Sequence, residues 1–222
     1  MYAKFFKRLF DIIISAVALT VLSPVLLILT AVGAIAMRGN PFFVQVRPGR
    51  NERLFKLIKF RTMSYGRSGD GQLLCDDARV TRYGRFLRST SLDELPELIN
   101  IFIGEMSIVG PRPLLVEYLP YYTEEERHRH DMRPGLTGLA QVNGRNAISS
   151  WEERFAYDLK YIRECSLWLD IKILFLTVYK VFRRSDIQVG SEIKAGRLDD
   201  ARRAKAEEGA ENEKLEGNYQ KV

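Results

Sequence analysis

The chain falls into three stretches of hydrophobic patterning. Ile12 to Met37 is apolar throughout and carries no charged residue. The middle alternates short apolar runs with turn residues and helical stripes. Beyond Asp186 the sequence turns polar, and Leu198 to Val222 is dense in Lys, Arg, Glu and Asp, which reads as a flexible tail or a frayed helix. Pro41 to Arg47 and Leu54 to Arg61 have strand character, and Pro48-Gly49-Arg50-Asn51 between them has turn chemistry, so a β-hairpin is expected. Ser91 is expected to open a helix running to about Phe102. Glu117 to His130 reads as an exposed helix. Ser150 opens another, with Glu153 three residues on completing a capping box. Ile171, Leu174, Phe175, Val178, Val181 and Phe182 recur at helical spacing. With Trp168, Tyr179, Arg183 and Arg184, that stripe suits a helix lying in a membrane interface. An ordinary core helix has the same periodicity.

A straight helix over Ile12 to Met37 would reach about 39 Å, against the roughly 30 Å hydrocarbon core of a bilayer. Length therefore permits a single span. Two features favour a helix–break–helix hairpin. Ser23-Pro24 stands at the midpoint, where proline removes a backbone donor and clashes with the preceding turn. Both flanks are basic: Lys4, Lys7 and Arg8 before the segment, and Arg38, Arg47, Arg50, Arg53, Lys56, Lys59 and Arg61 after it. Positive residues prefer the cytoplasmic side, and a hairpin keeps both clusters there. Ser23 is placed to satisfy backbone groups freed at the bend.

The chain has 222 residues and a formal net charge of +6, which points to anionic partners: nucleic acid, a membrane face or phosphorylated substrates. No nucleic-acid recognition motif accompanies the charge. Cys75 and Cys165 have neither metal-ligand spacing nor a disulfide framework, and read as reduced thiols. His128 and His130 sit in a charged run and read as solvated. Walker, dinucleotide-binding, zinc and serine-elbow signatures are all missing.

Asp93-Glu94 is the central chemical candidate. Ser91 with Glu94 fits a capping box, and on local sequence alone that role is favoured. The surroundings shift the balance. Arg79, Arg82, Arg85 and Arg88 lie upstream, Lys59 and Arg61 end a strand, and Arg112 is clamped between Pro111 and Pro113. A carboxylate pair among separate basic groups can hold Mg²⁺ and a diphosphate together, since Mg²⁺ takes one or two carboxylates plus substrate phosphates. Arginines bind phosphate oxygens bidentately. Phosphoryl transfer needs mainly positioning and charge neutralisation, and a carboxylate can itself attack phosphorus.

Four ordered segments carry a resemblance: Lys59-Phe60-Arg61-Thr62-Met63, Arg88-Ser89-Thr90-Ser91-Leu92-Asp93-Glu94-Leu95-Pro96, Val109-Gly110-Pro111-Arg112-Pro113 and Arg133-Pro134-Gly135-Leu136-Thr137-Gly138. Behind a Ser-Pro-broken apolar segment, they resemble the monotopic bacterial sugar transferases, the polyprenol-phosphate phosphoglycosyl transferases, over about Met1 to Arg184. Pro113 to Tyr118 and Gln141 to Ser149 look like the short members that transfer phospho-N,N′-diacetylbacillosamine.

The resemblance implies a mixed α/β, mostly helical fold. Residues 1–38 would form a re-entrant membrane helix bent at Ser23-Pro24. Residues 39–186 would form a catalytic domain with a small β-hairpin and interfacial helices on the cytoplasmic face of the bacterial inner membrane. Residues 187–222 would be a polar, flexible tail. It further implies that Asp93 attacks the β-phosphate of a UDP-sugar, that UMP leaves, and that undecaprenyl phosphate takes the sugar phosphate. Glu94, with Asp93, would ligand Mg²⁺, Arg112 would bind phosphate, and Lys59, Arg88, Gln141, Arg145 and Asp158 would line the site. Membrane lipid and downstream glycosyltransferases follow as partners. A non-enzymatic membrane adaptor would explain the apolar anchor and the charge, but not the ordered carboxylate and arginine elements.

Overall fold

The computed structural model describes residues 2–66, 70–72, 74–144, 150–183 and 196–205. Arg145 lies outside the described residues. The fold is mixed α/β and helix-rich. A helical turn at Tyr2–Phe6 leads into α1 (Lys7–Val21), which Leu22 separates from α2 (Ser23–Ala36). The antiparallel hairpin β1 (Phe42–Pro48) and β2 (Leu54–Phe60) follows, in register from Phe42 opposite Phe60 to Pro48 opposite Leu54. After α3 (Asp76–Arg79) and α4 (Arg82–Thr90) comes a single 3₁₀ turn, Leu92–Glu94, then α5 (Glu97–Ile103). β3 (Ser107–Val109) pairs in parallel with β4 (Gly135–Thr137), with α6 (Glu124–Arg127) between them. α7 (Leu139–Val142), α8 (Trp151–Glu164) and α9 (Leu167–Arg183) complete the order. Residues 198–205 form one more helix.

The axes of α1 and α2 differ by 63°. Pro24 has no N–H to offer the carbonyl four residues back, and that carbonyl is Thr20 O. Ser23 Oγ donates to it at 2.8 Å, so the bend leaves no orphan acceptor there. No single helix among the described residues is long and apolar enough to cross a membrane, but this bent pair is apolar enough when taken together.

α1 is built inside out. Its buried residues are Lys7, Asp11 and Ser15, spaced to share one face, while Ile13, Val17 and Val21 are exposed. The polar stripe docks on the rest of the chain. Lys7 Nζ donates to Asp170 Oδ2 at 2.7 Å, and Tyr161 donates its hydroxyl to Asp170 Oδ1 at 2.7 Å. Asp11 Oδ1 accepts from Ile108 N at 2.9 Å and from Ser107 Oγ at 3.1 Å. Lys7 is therefore an internal ion-pair partner rather than a free flanking charge. On α2, Leu27 is 71% exposed and Ile35 79%.

Asn100 fixes α5 to the hairpin. Its Oδ1 accepts from Ile58 N at 3.1 Å and its Nδ2 donates to Lys56 O at 2.8 Å, so one side chain acts as the strand partner that β2 lacks on that edge. Leu57, Leu98, Ile101, Met106 and Val109 pack beside it in the main core.

Several local expectations change. Ser91 does not open an α-helix: it ends α4 in the left-handed region at φ 56°, leads without a side-chain cap bond into the 3₁₀ turn Leu92–Glu94, and α5 begins only after Pro96. Pro96 lacks the donor an early helical turn requires, so the chain makes a 3₁₀ turn first. Glu117 to His130 is not one exposed helix. Pro120 interrupts a 3₁₀ segment, Thr123 and Glu126 form a capping box, and Tyr118, Glu126, Arg129 and His130 are buried. His130 is thus not solvated, and burial pushes its imidazole down to about 4. Along α9 the expected apolar stripe stays largely outside, with Trp168 80% and Phe175 73% exposed, whereas Ile173 packs in the core. Within the polar tail, Leu198 is fully buried against Leu114, Tyr118 and Trp151, and Arg202 pairs with Glu126.

Asp170→Leu strands a buried ammonium, and this class of change costs about 3–5 kcal/mol. A thermal or chemical unfolding series in detergent should show that loss. An unchanged midpoint would mean that the Lys7–Asp170 pair does not hold α1 in place.

Candidate active site

The break between α4 and α5 places Asp93 and Glu94 on a tight turn at the wall of a cavity of about 570 Å³. β1 and β2 supply Gln45, Arg47 and Lys59, and α4 supplies Arg88. The loop after β3 supplies Arg112, α7 supplies Gln141, and α8 supplies Trp151, Arg154 and Asp158. The expected site residues among the described ones therefore line a single cavity. Of the four upstream arginines, Arg79 and Arg88 line it, while Arg82 and Arg85 are exposed elsewhere on α4.

Glu94 Oε1 is gripped from two sides, by Lys59 Nζ at 3.0 Å and Arg112 Nη2 at 2.7 Å. Lys59 also reaches Glu97 Oε1 at 2.9 Å. Glu97 is 1% exposed, and burial pushes its carboxyl up to about 7. Burial, then the neighbouring Glu94 charge, pushes the Asp93 carboxyl above the usual aspartate range, while Lys59, Arg112 and Arg88 pull it back. Glu94 first, and then Glu97, hold the Arg112 guanidinium firmly in its charged form. Arg88 Nε donates to Thr62 Oγ1 at 3.0 Å.

Two expected residues take part through others. Asp158 is buried, and its Oδ2 accepts from Arg129 Nε at 3.1 Å and Nη2 at 2.7 Å. Arg129 in turn donates to the main-chain oxygen of Arg112 at 2.8 Å. Asp158 thus steadies the loop that carries Arg112. Gln141 Nε2 donates to Leu136 O at 3.0 Å, while its Oε1 is buried without a partner among the described residues.

Backbone contact between β3 and β4 fixes the other side of that loop. Gly110 N donates to Thr137 O at 2.8 Å and Gly135 N to Pro111 O at 2.9 Å. A Cβ on Gly135 would stand 2.1 Å from Gly110 N, so only glycine fits. The sequence reading missed Glu97, Arg129 and Arg47. Glu97 sits three residues beyond Glu94, a spacing that was visible. Arg129 lay in a segment read as solvated, and nothing local marked it as buried.

Adjacent carboxylates are hard oxygen donors, and Asp93 and Glu94 both line the cavity. Among the described residues no group of three or more His, Cys, Asp or Glu forms a closed ligand set. Asp93 and Glu94 are the residues that could contribute carboxylate oxygens to a cation here, and Mg²⁺ is a cation that takes one or two carboxylates plus substrate phosphates.

The family described as bacterial sugar transferase matches residues 2–184. The uncharacterized sugar transferase EpsL of Bacillus subtilis (strain 168) is 48% identical over 192 residues, covering 86% of this chain and 95% of that protein. The UDP-glucose:undecaprenyl-phosphate glucose-1-phosphate transferase of Klebsiella pneumoniae is 45% identical over 186 residues, covering 80% of this chain and 40% of that protein. The UDP-galactose-lipid carrier transferase of Erwinia amylovora is 39% identical over 199 residues, covering 82% and 41%. The chain thus spans nearly all of EpsL and about two fifths of the other two.

Glu97 holds its proton to a higher pH folded (about 7) than unfolded (4.5), so it favours folding below 4.5 and loses that contribution as pH rises through 7. Glu97→Gln should flatten the fall of melting temperature across that window. Parallel slopes in variant and wild type would contradict the assignment. Gly135→Ala should cost at least about 2 kcal/mol by forcing the β3–β4 backbones apart, read by unfolding midpoint. A variant as stable as wild type would show that the close approach is not required.

Proposed function

The chain belongs to the bacterial sugar transferase family, and from that premise we propose that it moves a sugar 1-phosphate from a UDP-sugar to undecaprenyl phosphate and releases UMP. One observation carries the reading: Asp93 stands on a tight turn beside a carboxylate clamped by Lys59 and Arg112, at a cavity with further arginines on its walls. That arrangement suits a diphosphate ester more than a neutral substrate.

In the proposed reaction an Asp93 carboxylate oxygen attacks the β-phosphorus of the donor. The bond from that phosphorus to the bridging oxygen breaks, and UMP leaves with the electron pair. A sugar-phosphoryl group remains on Asp93. An oxygen of the lipid phosphate then attacks the same phosphorus, restoring the carboxylate and giving a lipid diphosphosugar. Lys59 and Arg112 hold and orient the Glu94 carboxylate. Arg112 and Arg88 stand ready to neutralise phosphate oxygens. Asp93 and Glu94 would hold Mg²⁺, which when bound neutralises diphosphate charge.

The relatives' names give UDP-glucose and UDP-galactose as donors. Hexose donors therefore stand beside the N-acetylated, diacetylbacillosamine-type sugar. The product would serve downstream glycosyltransferases that extend lipid-linked sugars.

A monotopic seat on the cytoplasmic face of the inner membrane fits the exposed chemistry. α1 and α2 are each only about 21–23 Å long, short of a roughly 30 Å core. Their axes differ by 63°, which a re-entrant path would use, and apolar side chains are exposed on both legs and on α9. Soluble surfaces rarely present so much contiguous apolar area. A re-entrant hairpin beside an interfacial helix would set the cavity at headgroup depth, where a soluble nucleotide and a lipid phosphate can both reach it.

Asp93→Asn should lower UMP release by at least about 10³-fold with undecaprenyl phosphate and a panel of UDP-sugars, because it removes the attacking group. Chelation should silence the wild type, and Mg²⁺ should restore it. Turnover retained by the variant would remove Asp93 from the nucleophile role.

A further inference from the structure

Arg47 lines the cavity and has no acid of its own among the described residues. It shares a face of β1 with Phe43 and Gln45, which also line the cavity. Its Nη2 donates to Gln45 Oε1 at 2.7 Å, its Nε is buried without an acceptor, and no carboxylate pairs with it among the described residues. Three other cations of this wall have acids, Lys59 with Glu94 and Glu97, Arg112 with Glu94, and Arg129 with Asp158, whereas Arg61, like Arg47, meets no carboxylate among the described residues and donates instead to Met37 O at 2.7 Å. Burial, and then the like charge of Arg112, push the Arg47 guanidinium down to about 10, so it is still charged at neutral pH.

Half-burying a charge without a carboxylate partner is unfavourable. A guanidinium kept in that state beside a second one is set to receive an oxyanion. We propose that Arg47 is a phosphate-binding residue of this cavity, taking an oxygen of a phosphate group adjacent to Arg112. The inference rests on the phosphoglycosyl-transfer reading and adds a residue that the motifs did not mark. The group it meets is a phosphate ester that carries an anionic oxygen. Either the nucleotide diphosphate of the donor or the head of the lipid acceptor supplies that chemistry.

The test uses the full chain in nanodiscs as wild type, Arg47→Gln and Arg47→Lys. Arg47→Gln should raise KM for a phosphate-bearing substrate about tenfold or more, with kcat at saturation within about threefold of wild type. Arg47→Lys should recover part of the KM. The melting temperature without substrate should match or exceed wild type, because a half-buried charge without a carboxylate partner is gone. A raised donor KM, together with loss of the UDP-induced rise in melting temperature, assigns the subsite to the nucleotide diphosphate. A raised KM for undecaprenyl phosphate alone assigns it to the lipid phosphate. Both KM values within about twofold of wild type, or a lower melting temperature with unchanged KM, overturn the proposal. A wild type inert with every donor sinks the transferase reading itself. An active wild type indifferent to the Arg47 changes overturns only this inference.

Discussion

Glu94 ties three distant pieces of chain to one oxygen atom. Lys59 comes from the end of a hairpin, Glu94 from a one-turn break between two helices, and Arg112 from a loop braced by parallel strands. None of these charges is fully solvated, and a buried or half-buried charge is costly without a partner in good geometry. The carboxylate therefore dictates where the hairpin must lie against α5, and where the loop after β3 must pass. Asn100 and Gly135 serve those two demands, the first by completing the hydrogen bonds of β2, the second by letting two backbones touch. Asp93, the next residue along, is thereby held at the cavity wall without a salt bridge of its own among those described.

The second constraint concerns the surface. α1 turns its polar stripe inward to Asp170, Ile108 and Ser107, which leaves its apolar side chains pointing away from the protein. In water that arrangement would be costly. It suits a helix whose outer medium is hydrocarbon, and α9 repeats the pattern with Trp168 and Phe175 outward. The helices with outward apolar faces and the cavity are linked through Asp170 and Tyr161, because Asp170 binds Lys7 of α1 and Tyr161 of α8, and the Tyr161 hydroxyl also reaches Val109 O just before the Arg112 loop.

Much of this was legible in the sequence where local chemistry decides. The Ser23-Pro24 break, the Pro48 to Asn51 turn and the grouping of Asp93, Glu94, Lys59, Arg88 and Arg112 each follow from residue type and order. What was not legible depended on distant partners. Ser91 carries a helix-start signature, yet Pro96 denies the early turn its donor and Ser91 ends the previous helix instead. His130 and Arg129 look solvated within a charged run, but Tyr122 and Phe155 cover them from other elements. Leu198 looks like one apolar residue in a polar tail, and it fills a site between Tyr118 and Trp151 that no local pattern announces. Asp158 was visible as a site candidate, but its action through Arg129 was not.

The central claim is that the donor's sugar phosphate becomes bonded to one aspartate before any lipid is involved. The direct measurement is the intact mass of the protein after incubation with a UDP-sugar and Mg²⁺ in the absence of polyprenol phosphate, followed by peptide mapping. The account predicts a gain equal to one sugar-phosphoryl group, located on Asp93 and discharged when undecaprenyl phosphate is added. A preparation that turns over with lipid present, yet never carries that mass or carries it on another residue, would contradict it.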